Sequence, residues 1–432
     1  MYSNIKMSAR NSRQALDMLP TRMAPELTPT PLMKLTDAEE TIMRVVPDSG
    51  TSATAGSQVT FKLPQQDTWI PKNTYLQGRI TLTGTAAAPV NQSVASIISK
   101  MRTYIGSRIL DITDNYNVVD DVLSCVRVDK FQDNQAAAAN PSASTLFYKL
   151  ENTSVSGAST AYDFCLKFPV GLFSVGKMIP TKILPQIRAE FDLATPQVAL
   201  AKGSAITDET YTLSNLYLDC HYVRPDDSYW AGLANMFAAG VSYDFIVPSV
   251  RVTTSTNTSS ANEFRLAQYP VSAKSLFFCM RNTSDITGSV LLRYPNINGS
   301  SAPYITNFQL SCGSEVIPSR PCDFGPSSFL ELCRAVNQNS DIPVTSINGT
   351  EYLATSTLSG GTSGRNKSIL GLNLEIYADQ SSISGMSWAG RDAILKFDVS
   401  GTINAASTYY GIVLFDIAVR VNPLIDVVEV VY

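Results

Sequence analysis

The chain has 432 residues, 44% of them hydrophobic, which is enough apolar material for two full cores. Only 16% of residues are charged, against ~25% in an ordinary soluble domain, and Ser, Thr, Asn and Gly fill the gap. The net charge of −4 excludes the chain as a whole from polyanion binding.

Residues 1–56 read as an N-terminal arm, because Pro20, Pro25, Pro29 and Pro31 interrupt any regular element. Within it, Asn4 to Leu19 carries the weak apolar face of a short helix. From Ser57 the pattern changes: Val59, Phe61 and Leu63 alternate with polar residues, as a half-buried strand does, and Thr74 to Thr83 follows as a second strand. Met101 to Ile112 reads as a hairpin turned at Gly106-Ser107, where a positive φ is easiest for glycine. Val119, Val122, Leu123 and Val126 then fall on one helical face, with Thr113 or Asp114 placed to cap it. Gln132 to Ser144 is an exposed loop by composition, and strands resume at Tyr162 to Val170. Ile187, Ala189, Phe191 and Leu193 point one way, with Arg188, Glu190 and Asp192 opposite. In Tyr211 to Val223 the buried row is Leu216, Leu218, Cys220 and Tyr222, and the other row is Asn215, Tyr217, Asp219 and His221.

Arg224-Pro225-Asp226-Asp227 closes a first module, residues 57–225. Residues 226–241 form a linker with a short helix through Trp230 to Ala239, and residues 242–432 form a second module. It opens with Tyr243 to Thr254 and turns a hairpin at Gly313-Ser314. A helix follows with Phe329, Leu332, Cys333 and Val336 on one face, Ser328 and Glu331 having the spacing of a capping box. After a polar loop over Asn337 to Gly364, Ala393, Leu395, Phe397 and Val399 form one face of a strand. Phe415, Ile417, Val419 and Val421 then line up with Leu216, Leu218, Cys220 and Tyr222, before a last strand-like segment over Asp426 to Tyr432. A Gly-Ser hairpin, an amphipathic helix, a strand ending near Phe-Asp and a long alternating strand thus occur in the same order in each half. Many strands, frequent turns and few short helices give an all-β fold class, with two consecutive β-sandwiches.

The residue inventory argues against several chemistries. The seven cysteines are scattered, and no pair has a metal-ligand spacing. Reduced, buried thiols point to folding in a cytoplasmic or nuclear compartment. No signal peptide is expected in Met1 to Arg22, and no run approaches the ~18 apolar residues of a membrane span. His221 is the only histidine, so any Ser-His-Asp site would have to centre on a mid-strand residue with no nucleophile turn nearby. Asp111, Asp114, Asp120 and Asp121 lack the spacing of a calcium loop and read as solvated helix-face acids. Gly360-Gly361 lacks the Lys and helix of a phosphate loop. No catalytic, cofactor or metal residues are assigned.

Four stretches resemble the double jelly-roll major capsid proteins of adenovirus-like, polinton-like and nucleocytoplasmic large DNA viruses. They are Tyr75 to Thr83 (YLQGRITLT), Ile97 to Leu123, Phe168 to Leu193 with Tyr211 to Val223 (YTLSNLYLDCHYV), and Ile369 to Val399. The resemblance implies two eight-stranded jelly-roll sandwiches with short helices in the connecting loops. Three chains would then present six lobes, a pseudo-hexameric homotrimer that tiles an icosahedral shell. It further implies neighbouring capsomers, penton and minor capsid proteins as partners, residence in the virion, and no enzyme activity. On that reading Tyr217, His221 and the aromatics Tyr409 and Tyr432, expected to be exposed, are candidate contacts between lobes or between subunits. Lys6, Arg10, Arg13 and Arg22 are the candidate inner-surface residues of the arm, for weak contact with the genome or an internal membrane. Two rival readings are a tandem β-sandwich carbohydrate-binding or adhesin protein, and a β-sandwich carbohydrate-active enzyme with paired carboxylates.

Overall fold

The computed structural model describes residues 39–84, 88–89, 93–126, 145–146, 160–201, 206–257, 263–267, 270–282, 305–336, 345, 347, 349, 352, 368–375, 385–399, 407–422 and 427–431. The first lobe contains β1 (Glu39–Val45), β2 (Gln58–Lys62), β3 (Thr68–Thr83), β4 (Ile98–Ile105), β5 (Arg108–Asp114), helix α1 (Tyr116–Val126), β6 (Thr160–Lys167), β7 (Ile187–Leu193) and β8 (Thr210–Arg224). Helix α2 (Asp227–Ala238) leads to the second lobe. That lobe contains β9 (Tyr243–Asn257), β10 (Glu263–Leu266), β11 (Ala273–Asn282), β12 (Ile305–Cys312), β13 (Glu315–Asp323), helix α3 (Pro326–Val336), β14 (Leu370–Asn373), β15 (Ala393–Val399) and β16 (Ser407–Asn422). A final strand, β17 (Val427–Val431), pairs with the end of β16.

In the first lobe one sheet runs β1-β8-β3-β6, with the two residues Thr145–Leu146 added in parallel beside β6, and the facing sheet runs β2-β7-β4-β5. The second lobe has β9-β16-β11-β14 facing β10-β15-β12-β13. The two orders are the same, each strand of the second lobe standing eight places after its counterpart. Each lobe is an eight-stranded jelly roll, in which the two sheets bury their facing rows. Even the turns correspond. Gly106 and Gly313 both have φ of 58°, in the left-handed region. Each donates its N–H to the carbonyl just before the next inner strand, Gly106 to Gln186 and Gly313 to Asp392.

The inner rows are those of the alternating patterns. Leu216, Leu218, Cys220 and Tyr222 are buried, as are Phe415, Ile417, Val419 and Val421. In the first core the rings of Phe168, Phe173 and Phe191 stack on one another, with Phe61 edge-on to Phe191. The helix faces also stand where the 3.6-residue period puts them: Val119, Val122, Leu123 and Val126 are buried on α1, and Leu332 and Cys333 on α3. Ser328 is not an N-cap, because α3 already begins at Pro326; its hydroxyl instead exchanges hydrogen bonds with the Gly325 backbone.

Two boundaries differ from the sequence reading. The arm does not extend to residue 56. Strand β1 pairs with β8 from Glu39↔Arg224 to Val45↔Leu218, and Ala53-Thr54 pairs with Leu213-Thr212. Residues 39–45 and 53–54 therefore belong to the first lobe's sheet. The physical reason is that β1 is an edge strand with little buried surface, so it carries no alternating apolar row and is held mainly by its backbone ladder. Helix α2 begins at Asp227, ahead of Trp230. Lys6, Arg10, Arg13, Arg22 and Tyr432, the helix expected over Asn4 to Leu19, the loop at 132–144 and most of the loop expected over Asn337 to Gly364 lie outside the described residues.

Candidate functional site: the seam between the lobes

Among the described residues, a set of buried polar and charged side chains lies where the lobes meet. Strand β9 of the second lobe runs against β5 and the turn at 172–174 of the first. The first hydrophobic core continues across this seam without a break, taking in Phe245, Val247, Val250, Phe277, Cys279 and Ile412 from the second lobe. The second core, built around Phe264, Phe278, Phe308 and Trp388, is separate. A seam of this apolar character resembles a domain core more than a contact between mobile domains.

Three polar fixtures sit inside it. Asp111 on β5 is 1% exposed and accepts hydrogen bonds from the Ser249 hydroxyl and, at 3.0 Å, from Arg251 Nη1. Burial pushes the Asp111 carboxyl above its ordinary value, against the opposing pull of the Arg251 charge and the Ser249 hydrogen bond. Asp121 on α1 forms a buried ion pair with Arg281 on β11. Gly171 donates its N–H to the Pro248 carbonyl at 2.7 Å. Its φ of 78° and ψ of −164° fall in a region open essentially to glycine alone, and a Cβ there would meet Met101 Cε at 2.9 Å. At one edge of the seam the Tyr243 hydroxyl donates to the Met178 carbonyl, while Lys177 Nζ lies 4.3 Å above the Tyr243 ring and donates to the Asp244 carbonyl. Thr345 Oγ1 adds a bond to the Val126 carbonyl at the end of α1, 2.7 Å long. Buried charges joined in this way contribute little net stability against an apolar substitute, but they penalise any lobe arrangement that separates them.

The predicted contact residues fall elsewhere. Tyr217 and His221 lie on the outer row of β8 and are engaged within their own lobe. The Tyr217 hydroxyl donates to Gln77 Oε1 at 2.9 Å, and the Arg44 guanidinium lies 4.6 Å from the ring centroid. His221 Nδ1 is 3.0 Å from Glu40 Oε1. Both tie β1 to the sheet. Tyr409 is not exposed: it is 2% accessible and packs in the second core against Phe264, Phe278 and Phe397. Near the end of β16 two tyrosines are adjacent, and alternation alone does not say which faces inward. Asp111, Asp120 and Asp121 are not solvated either: Ser249 and Arg251 of the second lobe meet Asp111, Arg281 meets Asp121, and Asp120 is buried as well.

The sequence reading missed Ser249, Arg251 and Arg281. One signal was present for Arg281, a lone charge at the end of the apolar strand Leu276-Phe277-Phe278-Cys279-Met280. Its partner is 160 positions away, so nothing local could name it. Among the described residues, no group of three or more His, Cys, Asp or Glu side chains gathers as a metal site, and no helix is long and apolar enough to cross a membrane.

Neither a protein-family model nor a curated protein matches the sequence. Solved structures do match the fold. PBCV-1 VP54, fitted into a reconstruction of the virophage Sputnik, is similar with a TM-score of 0.59 at 9% identity, over 92% of this chain and 97% of that one. The Faustovirus major capsid protein gives 0.59 at 8% identity, over 88% and 90%. A chain of the Sputnik virophage structure gives 0.54 at 13% identity, over 91% and 88%. The likeness therefore covers both lobes and their arrangement in one chain.

Proposed function

We propose that this chain is a major capsid protein, the structural subunit of an icosahedral viral shell, and that it associates as a homotrimer whose six lobes form a pseudo-hexameric capsomer. The observation that carries the reading is the pair of lobes with one strand order, joined through a continuous buried seam, in an arrangement shared along most of its length with the Faustovirus major capsid protein.

The physics of a shell gives each feature a role. A tile must keep its shape while its borders make and break contacts. Lobes fused through an apolar seam with buried charges give a stiff tile. Its borders can then be modest interfaces, near the ~1,600 Å² of standard protein contacts, so that misplaced tiles dissociate. Low charge density lets such borders close with few unpaired ions to desolvate. The partners on this reading are further copies of the chain, penton and minor capsid proteins, and the chain resides in the virion. The arm, with Lys6, Arg10, Arg13 and Arg22, is the part assigned to the inner surface, towards the genome or an internal membrane.

Mass photometry and electron microscopy of the expressed chain test the reading. The expected result is a species near three times 46.8 kDa, seen as six-cornered blocks or closed shells. A chain that stays monomeric at every concentration while binding glycans would instead support the adhesin reading.

A further inference from the structure

Strands β14, β11 and β16 lie side by side in the second lobe, and together they bring three ionisable side chains to one buried point. Lys274 belongs to β11 and Asp416 to β16, while Glu375 follows the end of β14 by two residues. The β11–β16 register shifts between Ala273 and Ser275, which makes Lys274 the extra residue of a β-bulge, a device that re-aims a side chain. Backbone bonds hold the bulge from both sides. Leu374 donates to the Lys274 carbonyl at 2.8 Å, and Asp416 donates to the Ser272 carbonyl at 3.2 Å. Lys274 Nζ then lies 2.7 Å from Asp416 Oδ2 and 3.9 Å from Glu375 Oε1. The Asp416 and Glu375 side chains are 3% and 2% exposed, and that of Lys274 is 23% exposed.

This cluster differs from the seam pairs in two ways. At Asp111 and Asp121 the cation is a guanidinium; here it is a primary amine, which can be acylated once neutral. Here, too, two carboxyl groups share one cation, so an excess negative charge is buried unless one of them holds a proton. Burial raises the Asp416 carboxyl above its ordinary value, against the pull of the Lys274 charge. The first lobe has no such triad at the matching place. Aligning the inner rows of β16 and β8 puts Tyr217 opposite Asp416, and Tyr217 meets Gln77 and Arg44. The jelly roll itself therefore does not require the triad.

We propose that Lys274 and Asp416 condense in the folded chain to an isopeptide bond, with Glu375 carrying the proton, and that this bond staples β11 to β16. Proton transfer within the ion pair leaves a neutral amine and a carboxylic acid. The Nζ lone pair attacks Asp416 Cγ, and the Nζ–Cγ bond forms. Glu375 takes one proton from Nζ and delivers it to the hydroxyl on Cγ, whose bond to carbon breaks as water leaves. The product is a neutral amide, Glu375 returns to its carboxylate, and no oxidant or other reactant enters. Two groups held in contact react with the advantage of an intramolecular step. A dry setting also favours a neutral amide over a buried ion pair. The bond lies within one chain and is separate from the capsomer contacts proposed above, so its absence would leave that reading untouched.

Intact mass of the full chain, measured reduced and denatured, tests the staple. The expected mass is one water below that of the sequence, and a tryptic digest is expected to contain a branched peptide joining Lys274 to Asp416. Lys274→Arg keeps a cation beside both carboxylates but has no amine to acylate. It is expected to keep the full mass while circular dichroism shows a folded chain; if it does not fold, the branched peptide of the wild type decides alone. Glu375→Gln removes the proton carrier. When chains recovered unfolded are refolded, this variant is expected to form the bond at least about a hundredfold more slowly than the parent. A folded wild-type chain that stays at full mass through prolonged incubation overturns the proposal. So does a water loss that maps to a single unbranched peptide, as cyclisation of an aspartate gives. A Glu375→Gln chain that cross-links as fast as the parent overturns the role given to Glu375.

Discussion

The ion pair between Asp121 and Arg281 is the sharpest point at which to test the seam. Both side chains are almost fully buried, 6% and 7% exposed, and they come from different lobes. Replacing Arg281 with Met keeps the volume and leaves the Asp121 carboxylate without its counterion in an apolar setting. Breaking one half of a buried pair costs about 3–5 kcal/mol. For a lobe of this size each kcal/mol moves the melting temperature by about 2–4 °C, so the expected drop is roughly 6–20 °C. Replacing both residues, Arg281→Met with Asp121→Leu, removes the stranded charge and is expected to return stability to within about 1 kcal/mol of the parent. The assay is a double-mutant cycle by thermal and denaturant unfolding. Single-tryptophan variants that keep either Trp69 or Trp388, one buried in each lobe, report the two halves separately. If the single and double variants lose the same small amount, below about 1 kcal/mol, the pair is hydrated and the seam is not the stiff element argued here.

Other consequences can be checked with the same protein. Gly171→Ala forces a side chain into a glycine-only backbone region and against Met101, and is expected to cost about 1–3 kcal/mol and to open the 172–174 turn to limited proteolysis. Tyr409→Ala is expected to cost about 3–5 kcal/mol by denaturant melt, as the loss of a core aromatic does, whereas Tyr217→Ala costs about 1 kcal/mol; equal costs would mean Tyr409 is not in the core. Burial raises the thiol pKa of Cys165 to about 11 and of Cys220 and Cys279 to about 12. A raised pKa keeps a thiol protonated, and the thiolate is the reactive form. Iodoacetamide at pH 8 should therefore leave these three unmodified in the native protein and label them in guanidinium, with native labelling rising only as pH approaches 11. Fast labelling of Cys220 or Cys279 in the native protein at pH 8 would refute their burial.

What the sequence revealed follows from what periodicity can report. Inward rows such as Ile187, Ala189, Phe191 and Leu193 are visible because a half-buried strand must alternate, and the hairpins at Gly106 and Gly313 because few residues tolerate a positive φ. The helix faces were legible for the same reason. Strand β1 was not, because an edge strand with one buried residue leaves no pattern; it is held by backbone bonds that any sequence can make. The burial of Asp121 was not legible either. A helix seen alone has an outer face, and only the arrival of a second lobe turns that face inward. The seam pairs are separated by more than a hundred positions, so their residue types were visible and their partnership was not. Tyr409 failed for a local reason, since adjacent tyrosines leave the phase of a strand's end ambiguous.

The pairing of β1 with β8 also has a consequence for synthesis. The strand that leaves the ribosome first in this lobe must wait for the one that leaves last, roughly 170 positions later. At ~5–20 residues per second that is a delay of about 10–35 s, during which the nascent sheet shows a naked border. The weak apolar character of β1, which hid it from view, keeps that waiting segment from sticking to other nascent chains.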